Sequence, residues 1–501
     1  MNKIYIYPNN EDAFYAKYIL TELIDKYGLK AEFISILDDN IPGHEISKIS
    51  PNKNSFILIS CFDKVLFKKL FDNAKGFKRY DFTTFISSFF NKILNLNELN
   101  DINYLLKSSV LRLALFFISF FKNRSNAYKM LNANLENLVS KLSSYYIKML
   151  GEKPDVIYFL SSFANSKHLG NIDKFMKQNG LKIAYFVDEN DASGGGMFKN
   201  LNPIIAPFYY MLNTNICKIF ISTHTVCMSL KSSHKKLIVP HAFIYPIASL
   251  AQRKRPLDEH FFNKLARNNN LIVCASTKSN YKILKTAFKN RCLKAGYPMF
   301  DLLPNLNSKT QDPKNKILLA INNTEFLYIF KEQVEKLLNK FQVILRPHPA
   351  QIFDKEFLNL KKELENHPNF FYDDNKNVIN PLTNSTFCCF SDTSSLSYTY
   401  AITFKNPVIL CVQQTQKYED ISFFDKRLHI LYNGDMVKSA RKAFEFDNSL
   451  VDKYIKDEMY NYQNSSKFIA EFITRKSRKT DDKTLFHISK RRTFKNARSQ
   501  S

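Results

Sequence analysis

The chain of 501 residues has no tryptophan, only 11 glycines, and no repeat of short period, which excludes solenoids and propellers. Scarce Gly and absent Trp beside abundant Lys, Asn, Ile, Phe and Tyr is the profile of AT-rich coding, which raises lysine without selection for binding. Its eight cysteines (Cys61, Cys217, Cys227, Cys274, Cys292, Cys388, Cys389 and Cys411) form no CxxC pair and no zinc spacing with histidine. Several lie inside apolar runs such as "FCCFSD" and "VILCV", the setting of buried free thiols in a reducing compartment. Long apolar runs are also missing. The nearest, Val110–Phe121, holds about twelve residues and includes Arg112, short of the ~20 needed to span a bilayer. A buried helix fits it, or an interfacial one flanked by Lys107, Lys122 and Arg124. No signal peptide precedes the opening strand, so a cytoplasmic or cytoplasmic-face location is expected.

Acidic residues are in deficit: 46 Asp and Glu face 72 Lys and Arg, a formal net charge of +26. Such a surplus suits nucleic acid, an anionic membrane or anionic substrates. Nucleic-acid binding calls for basic residues interleaved with stacking aromatics; here Phe and Tyr follow strand and helix periodicity, so no nucleic-acid partner is expected. The stretch from Arg475 to Arg498 carries ten Lys or Arg against Asp481 and Asp482 and reads as a disordered basic tail suited to anionic headgroups. There is no DxD beside a strand. Asp373-Asp374 and Asp481-Asp482 are the nearest acidic pairs and read as loop and tail, so no metal and no cofactor is expected.

What is present is an alternation of strands and helices, and a chain of this length calls for two domains. The first spans 1–246, with a largely helical insertion over about 64–150. A polar crossing at 247–268 leads to a second over 269–435, followed by helices over 436–474. The fold class is α/β, two doubly wound Rossmann-like domains facing a cleft.

Two motifs give that second domain a chemistry. In "VILRPHP" the β-formers Val343–Leu345 run into two prolines, which cannot continue a strand, so Arg346 and His348 sit on a stiff turn at its carboxyl end. Ligands of open α/β sheets bind at that edge. In "CCFSDTSSLSYTYA" a strand ends at Ser391 and a helix begins among Asp392, Thr393, Ser394 and Ser395. These are good helix caps, and a helix start is also an anion site. The 43 residues between His348 and Ser391 fit one β-α unit plus a strand, which puts both turns on one sheet edge with room for a phosphate between them. A third element, "GYPMFD" with Gly296, Tyr297, Pro298 and Asp301, is by itself a strand-to-turn connection.

Taken in order, "GYPMFD", "ILRPHP" and "SDTSSLSYTYAITFKNPVIL" resemble the CDP-glycerol:poly(glycerophosphate) glycerophosphotransferase family of teichoic-acid and capsule synthesis, over about Leu237–Leu410. The resemblance implies a GT-B fold, an inverting transfer from a cytidine-diphosphate donor to a glycan or lipid-linked acceptor, and peripheral attachment to the inner face of the bacterial membrane. It implies that His348, with Arg346 beside it, and Ser391, Asp392, Thr393, Ser394 and Ser395 hold the donor phosphates. It also implies an upstream histidine that deprotonates the acceptor. His241 in "IVPHAF" stands in that place, with Ala242 where the family has Gly. Asn322-Asn323-Thr324 departs from a Pro-Thr pair. The sequence is also similar to bacterial CMP-sialic-acid sialyltransferases, which carry His-Pro and Ser-Ser/Thr motifs and an acidic pair before a Gly. Asp188-Glu189 matches that pair, with Asn190 in the Gly position, and there Glu189 would be the base.

Overall fold

The computed structural model describes residues 2–7, 11–27, 29–37, 39, 45–49, 54–60, 64–94, 113–114, 117, 125–160, 166–187, 204–205, 216–217, 219–223, 235–240, 243, 266–303, 315–321, 331–348, 351–374, 382–392, 394–411 and 424–478. Within them lie three sheets, and every strand pair is parallel.

The first sheet runs β2 (Ala31–Ile36), β1 (Asn2–Tyr7), β3 (Ser55–Ile59), β4 (Lys78–Asp81). Helices α1 (Glu11–Tyr27), α2 (Lys64–Asn73), α3 (Phe82–Ile93) and α4 (Asn126–Leu150) accompany it. Local chemistry sets the ends of the last two. The Asp81 carboxylate accepts the Thr84 N–H at 2.6 Å to start α3, and the Ser125 hydroxyl accepts the Tyr128 N–H at 3.2 Å to start α4. Gly151, at φ 73°, closes α4 in the left-handed conformation. Along α4, Leu131, Leu135, Leu138, Leu142 and Tyr146 recur at helical spacing and are buried.

The second sheet has the order β11-β10-β9-β8-β5-β6-β7. Its strands are β5 (Val156–Leu160), β6 (Ile183–Val187), β7 (Ile204–Ile205), β8 (Ile219–Ser222), β9 (Lys235–Ile238), β10 (Leu271–Ala275) and β11 (Cys292–Lys294). Helix α5 (Ile172–Gln178) connects β5 to β6, and α6 (Lys278–Phe288) connects β10 to β11. One continuous core joins the two sheets, running from Ile4 and Ile6 through Ile19, Phe82, Ile86, Phe90 and Leu135 to Phe159, Phe186 and Phe220.

The third sheet has the order β14-β13-β12-β15-β16-β17. It comprises β12 (Lys316–Ala320), β13 (Gln342–Leu345), β14 (Phe370–Tyr372), β15 (Cys388–Ser391), β16 (Val408–Leu410) and β17 (His429–Leu431). Helices α7 (Lys331–Leu338), α8 (Lys355–Leu364) and α9 (Ser395–Phe404) alternate with them. Its strands are near-continuous apolar runs because helices cover both faces. After it come α10 (Met436–Phe444), α11 (Ser449–Glu458) and α12 (Ser465–Arg478).

The doubly wound reading holds, and three details of the organisation differ from expectation. The N-terminal half carries two sheets rather than one, and its insertion contains a strand, β4. The boundary expected at 247–268 falls inside the second sheet: Leu271, Ile272 and Val273 pair with Lys236, Leu237 and Ile238. The polar stretch there connects two strands of one sheet, and the passage to the third sheet lies between Leu303 and Asn315. The last helix extends through Arg478 and returns to the second sheet, where Ile469, Ala470 and Ile473 pack with Ile172 and Met176. Residues 479–501, the connection over 247–265 and most of Val110–Phe121 lie outside the described residues.

The return of α12 explains "GYPMFD". The Asp301 carboxylate accepts the N–H groups of Ser465 and Ser466 at the start of α12. Gly296 has φ 86°, and a Cβ there would overlap the Tyr460 carbonyl oxygen and the Ser465 hydroxyl. Gly296→Ala is therefore expected to cost about 3 kcal/mol, read as a lowered midpoint in thermal or urea unfolding. An unchanged midpoint would mean that this junction is not formed.

Candidate functional site

In the third sheet β12 comes first, β13 and β14 add on one side, and the chain then returns to place β15 on the other. The reversal between β12 and β15 is a topological switch point, where an open α/β sheet leaves a crevice at its carboxyl edge. Register puts the two sequence motifs on that edge. Leu319 is level with Leu345, and Ala320 with Ser391. The Arg346 N–H donates to the Leu319 carbonyl at 2.9 Å, and the Ser391 hydroxyl donates to the Ala320 carbonyl at 3.1 Å. Arg346, His348 and the Ser391–Ser395 turn thus meet around β12, as the β-α spacing requires.

Their individual settings differ. Arg346 is 5% exposed and forms an ion pair with Asp373, whose side chain is fully buried. Asp373 follows β14, and its N–H donates to the Leu345 carbonyl at 2.9 Å. The acid read from sequence as a loop residue is thus the buried counter-ion of the motif arginine, and Arg346 is held rigidly at the sheet edge. His348 stays exposed to solvent, although protein surrounds much of it. That crowding, then the charge of Lys167, hold its imidazolium below the usual range, while Asp392 pulls the other way.

The helix start is only partly open. The Asp392 carboxylate accepts the Ser394 N–H at 3.1 Å, so Asp392 shapes the turn. Ser391 is fully buried, and its hydroxyl lies 3.3 Å from that of Ser394. Ser397 folds back to the Ser394 carbonyl at 2.7 Å. Among the described residues, the N–H groups of Ser395 and Leu396 make no hydrogen bond within the protein. They are donors at the positive end of a ten-residue helix. Thr393 lies outside the described residues, as do the two candidate bases, His241 and Glu189 with its neighbour Asp188.

The second sheet has its own switch point between β5 and β8. Beyond β5 comes a 3-10 turn, Lys167–Leu169, which sequence reasoning passed over. Lys167 is exposed, yet burial, then the nearby Arg346 charge, lower its pKa. The carboxyl edges of the second and third sheets meet beside this turn, where Phe243, Tyr297, Ala320 and Tyr398 share one buried cluster and the Tyr297 hydroxyl reaches His168. Apolar contacts bridge the same edges: Phe243, beyond β9, stacks on Tyr398 of α9 with centroids 5.4 Å apart. No local pattern distinguished Lys167 from its many neighbours of the same type; its place after a central strand was the available signal.

Two Rossmann-type sheets whose carboxyl edges meet, and a final helix returning to the first, constitute the GT-B arrangement. No protein-family model and no curated protein matches the chain. Among solved structures, one of the wall teichoic acid polymerase TagF soaked with CDPG is 15% identical, with 74% of this chain and 98% of that chain covered and a TM-score of 0.47. The UDP-GlcNAc 2-epimerase of Methanocaldococcus jannaschii is 16% identical, over 64% of this chain and 99% of that one, at 0.41. MurG of Acinetobacter baumannii is 9% identical, over 64% and 100%, at 0.38.

Proposed function

We propose that the protein is a GT-B transferase that takes a cytidine-nucleotide donor and moves glycerol phosphate, or a related alditol phosphate, to a glycan or lipid-linked acceptor in bacterial surface-polysaccharide synthesis. The observation that carries this reading is the convergence of His348, the rigid Arg346 and the open amides of Ser395 and Leu396 at one switch point. Cations on one side and helix-start donors on the other form a cradle for phosphate oxygens. The family resemblance of these same motifs supplies the cytidine.

In this reading an acceptor hydroxyl attacks the donor phosphorus and gives its proton to His241 or Glu189. The P–O bond to the nucleotide breaks, and the departing phosphate takes the electron pair. Charge grows on that leaving phosphate, where His348 and the Ser395 and Leu396 amides stabilise it. Phe243, two residues beyond His241, packs against Tyr398 in the first turn of α9, and this supports His241 as the base. No described helix is long and apolar enough to cross a membrane. Attachment to the inner face of the membrane through the basic C-terminal segment belongs to the same proposal.

Calorimetric titration with CMP, CDP, UDP, GDP and ADP tests it. Cytidine nucleotides are expected to bind, and His348→Ala to weaken them about tenfold or more and abolish transfer. Preference for CMP over CDP would turn the assignment to sialyl transfer. Binding of UDP or GDP alone would sink the cytidine assignment.

A further inference from the structure

The edge where the two sheets meet holds a cation that the two motifs do not account for. Among the described residues no carboxylate pairs with Lys167, whereas Arg346 has Asp373 and His348 has Asp392 nearby. The Arg346 charge opposes that of Lys167, and the Lys167 charge opposes protonation of His348, so like charges repel across this edge. An anion entering between the sheets would relieve that repulsion from both sides.

The backbone beneath Lys167 is fixed residue by residue. His168 is buried, and its Nδ1 shares a 2.5 Å hydrogen bond with the Tyr297 hydroxyl. The two rings also stack, with centroids 5.7 Å apart. Leu169 is buried in the second sheet's core. Gly170, at φ 56°, packs so closely that a Cβ would overlap the Pro298 carbonyl oxygen and the Ser466 hydroxyl. The Asn171 N–H donates to that same hydroxyl at 3.0 Å. The turn is therefore clamped between "GYPMFD" and the start of α12, while the Lys167 side chain stays exposed.

We infer that Lys167 is the first domain's ligand to the anionic end of the nucleotide donor, and that Tyr297 is a positioning residue that aims it through His168. The inference rests on the phosphate site proposed above. It gives the second switch point a part in donor binding: the phosphate is held between both domains, and Lys167 contributes a compact point charge on a pre-set turn. It also gives the tyrosine of "GYPMFD" a purpose beyond packing.

CDP is titrated into the wild-type chain and into Lys167→Met, Lys167→Arg, His348→Ala, Tyr297→Phe and the Lys167→Met/Tyr297→Phe double variant, with thermal melts confirming folding. Lys167→Met is expected to weaken CDP about tenfold, and Lys167→Arg to keep most of the affinity, since the charge remains. Tyr297→Phe is expected to weaken CDP by roughly threefold alone and by nothing further in the Lys167→Met background, a non-additivity that simple loss of packing would not produce. Loss of binding in His348→Ala with unchanged binding in Lys167→Met would overturn this inference and leave the phosphate site standing. Absence of CDP binding by the wild-type chain would overturn both. Multiplicative losses in the double variant would remove the positioning role of Tyr297.

Discussion

Asp373→Ala is expected to destabilise the second domain by about 3–5 kcal/mol, among the largest effects of any single substitution in this chain. The Arg346 guanidinium is almost wholly enclosed and Asp373 completely so, which means that truncating the acid leaves a charge in a low-dielectric site that water cannot readily reach. Arginine does not shed its proton to escape, unlike a buried lysine. Urea unfolding monitored by circular dichroism would register the loss as a lowered midpoint. Arg346→Met/Asp373→Leu, which removes both charges, is expected to recover most of the stability, because the pair's attraction largely repays its own desolvation. The same double variant should still bind CDP poorly, since the arginine at the sheet edge is gone. A cost below about 1 kcal/mol for Asp373→Ala would show the pair to be solvated, with Arg346 free to move.

This pair also shows how far the sequence can be read. "VILRPHP" announced the end of a strand at Leu345 because an apolar run meets two prolines, and β13 does end there. The convergence of His348 with Ser391 followed from β-α spacing, since each unit returns the chain to the same edge. Spacing gives the edge but not the partner. Asp373 looked like half of an acidic pair in a loop, and only the pairing of β13 with β14 places it under Arg346. The same limit hid the role of Asp301, whose partners Ser465 and Ser466 lie more than 160 residues further along the chain. Contacts of that separation leave no mark on periodicity.

Sheet membership was illegible for a related reason. The strands Asn2–Tyr7, Ala31–Ile36 and Ser55–Ile59 carry the expected apolar content, but nothing local states whether they join the sheet of Val156–Leu160 or form one of their own. The edge strand "KRYD" alternates exposed and half-buried residues and has no apolar run to betray it. At 247–268 composition misled, because a charged connection within one domain reads the same as a linker between two. Lys167 was lost in a background where lysine is everywhere.

The second large effect concerns pH and a histidine outside the phosphate site. His429 opens β17 and is 2% exposed. The Tyr398 ring meets it edge to face at 4.7 Å, Phe424 lies 6.1 Å away, and the Asp425 N–H donates to its Nδ1 at 3.1 Å. Burial pushes its pKa down to about 4, against the opposing influence of the Asp425 carboxylate. That carboxylate is engaged by Arg427, with Nε at 2.9 Å and Nη2 at 2.6 Å, and so offers His429 only part of its charge. In the unfolded chain the imidazole titrates near 6.5. Between pH 6.5 and 4 the unfolded state therefore takes up a proton that the native state refuses, and stability falls as pH falls through this window. At 1.36 kcal/mol per unit, the loss reaches about 3 kcal/mol by pH 4. Carboxylates and other histidines contribute slopes of their own, so the measurement is a difference: urea midpoints of wild type and His429→Phe at pH 7.5, 6.5, 5.5 and 4.5. Wild type is expected to fall more steeply than the variant below pH 6.5, and the two curves to run parallel above it. Parallel curves throughout would mean that His429 protonates freely in the native state, and that β17 is not packed against α9 as closely as Tyr398 requires.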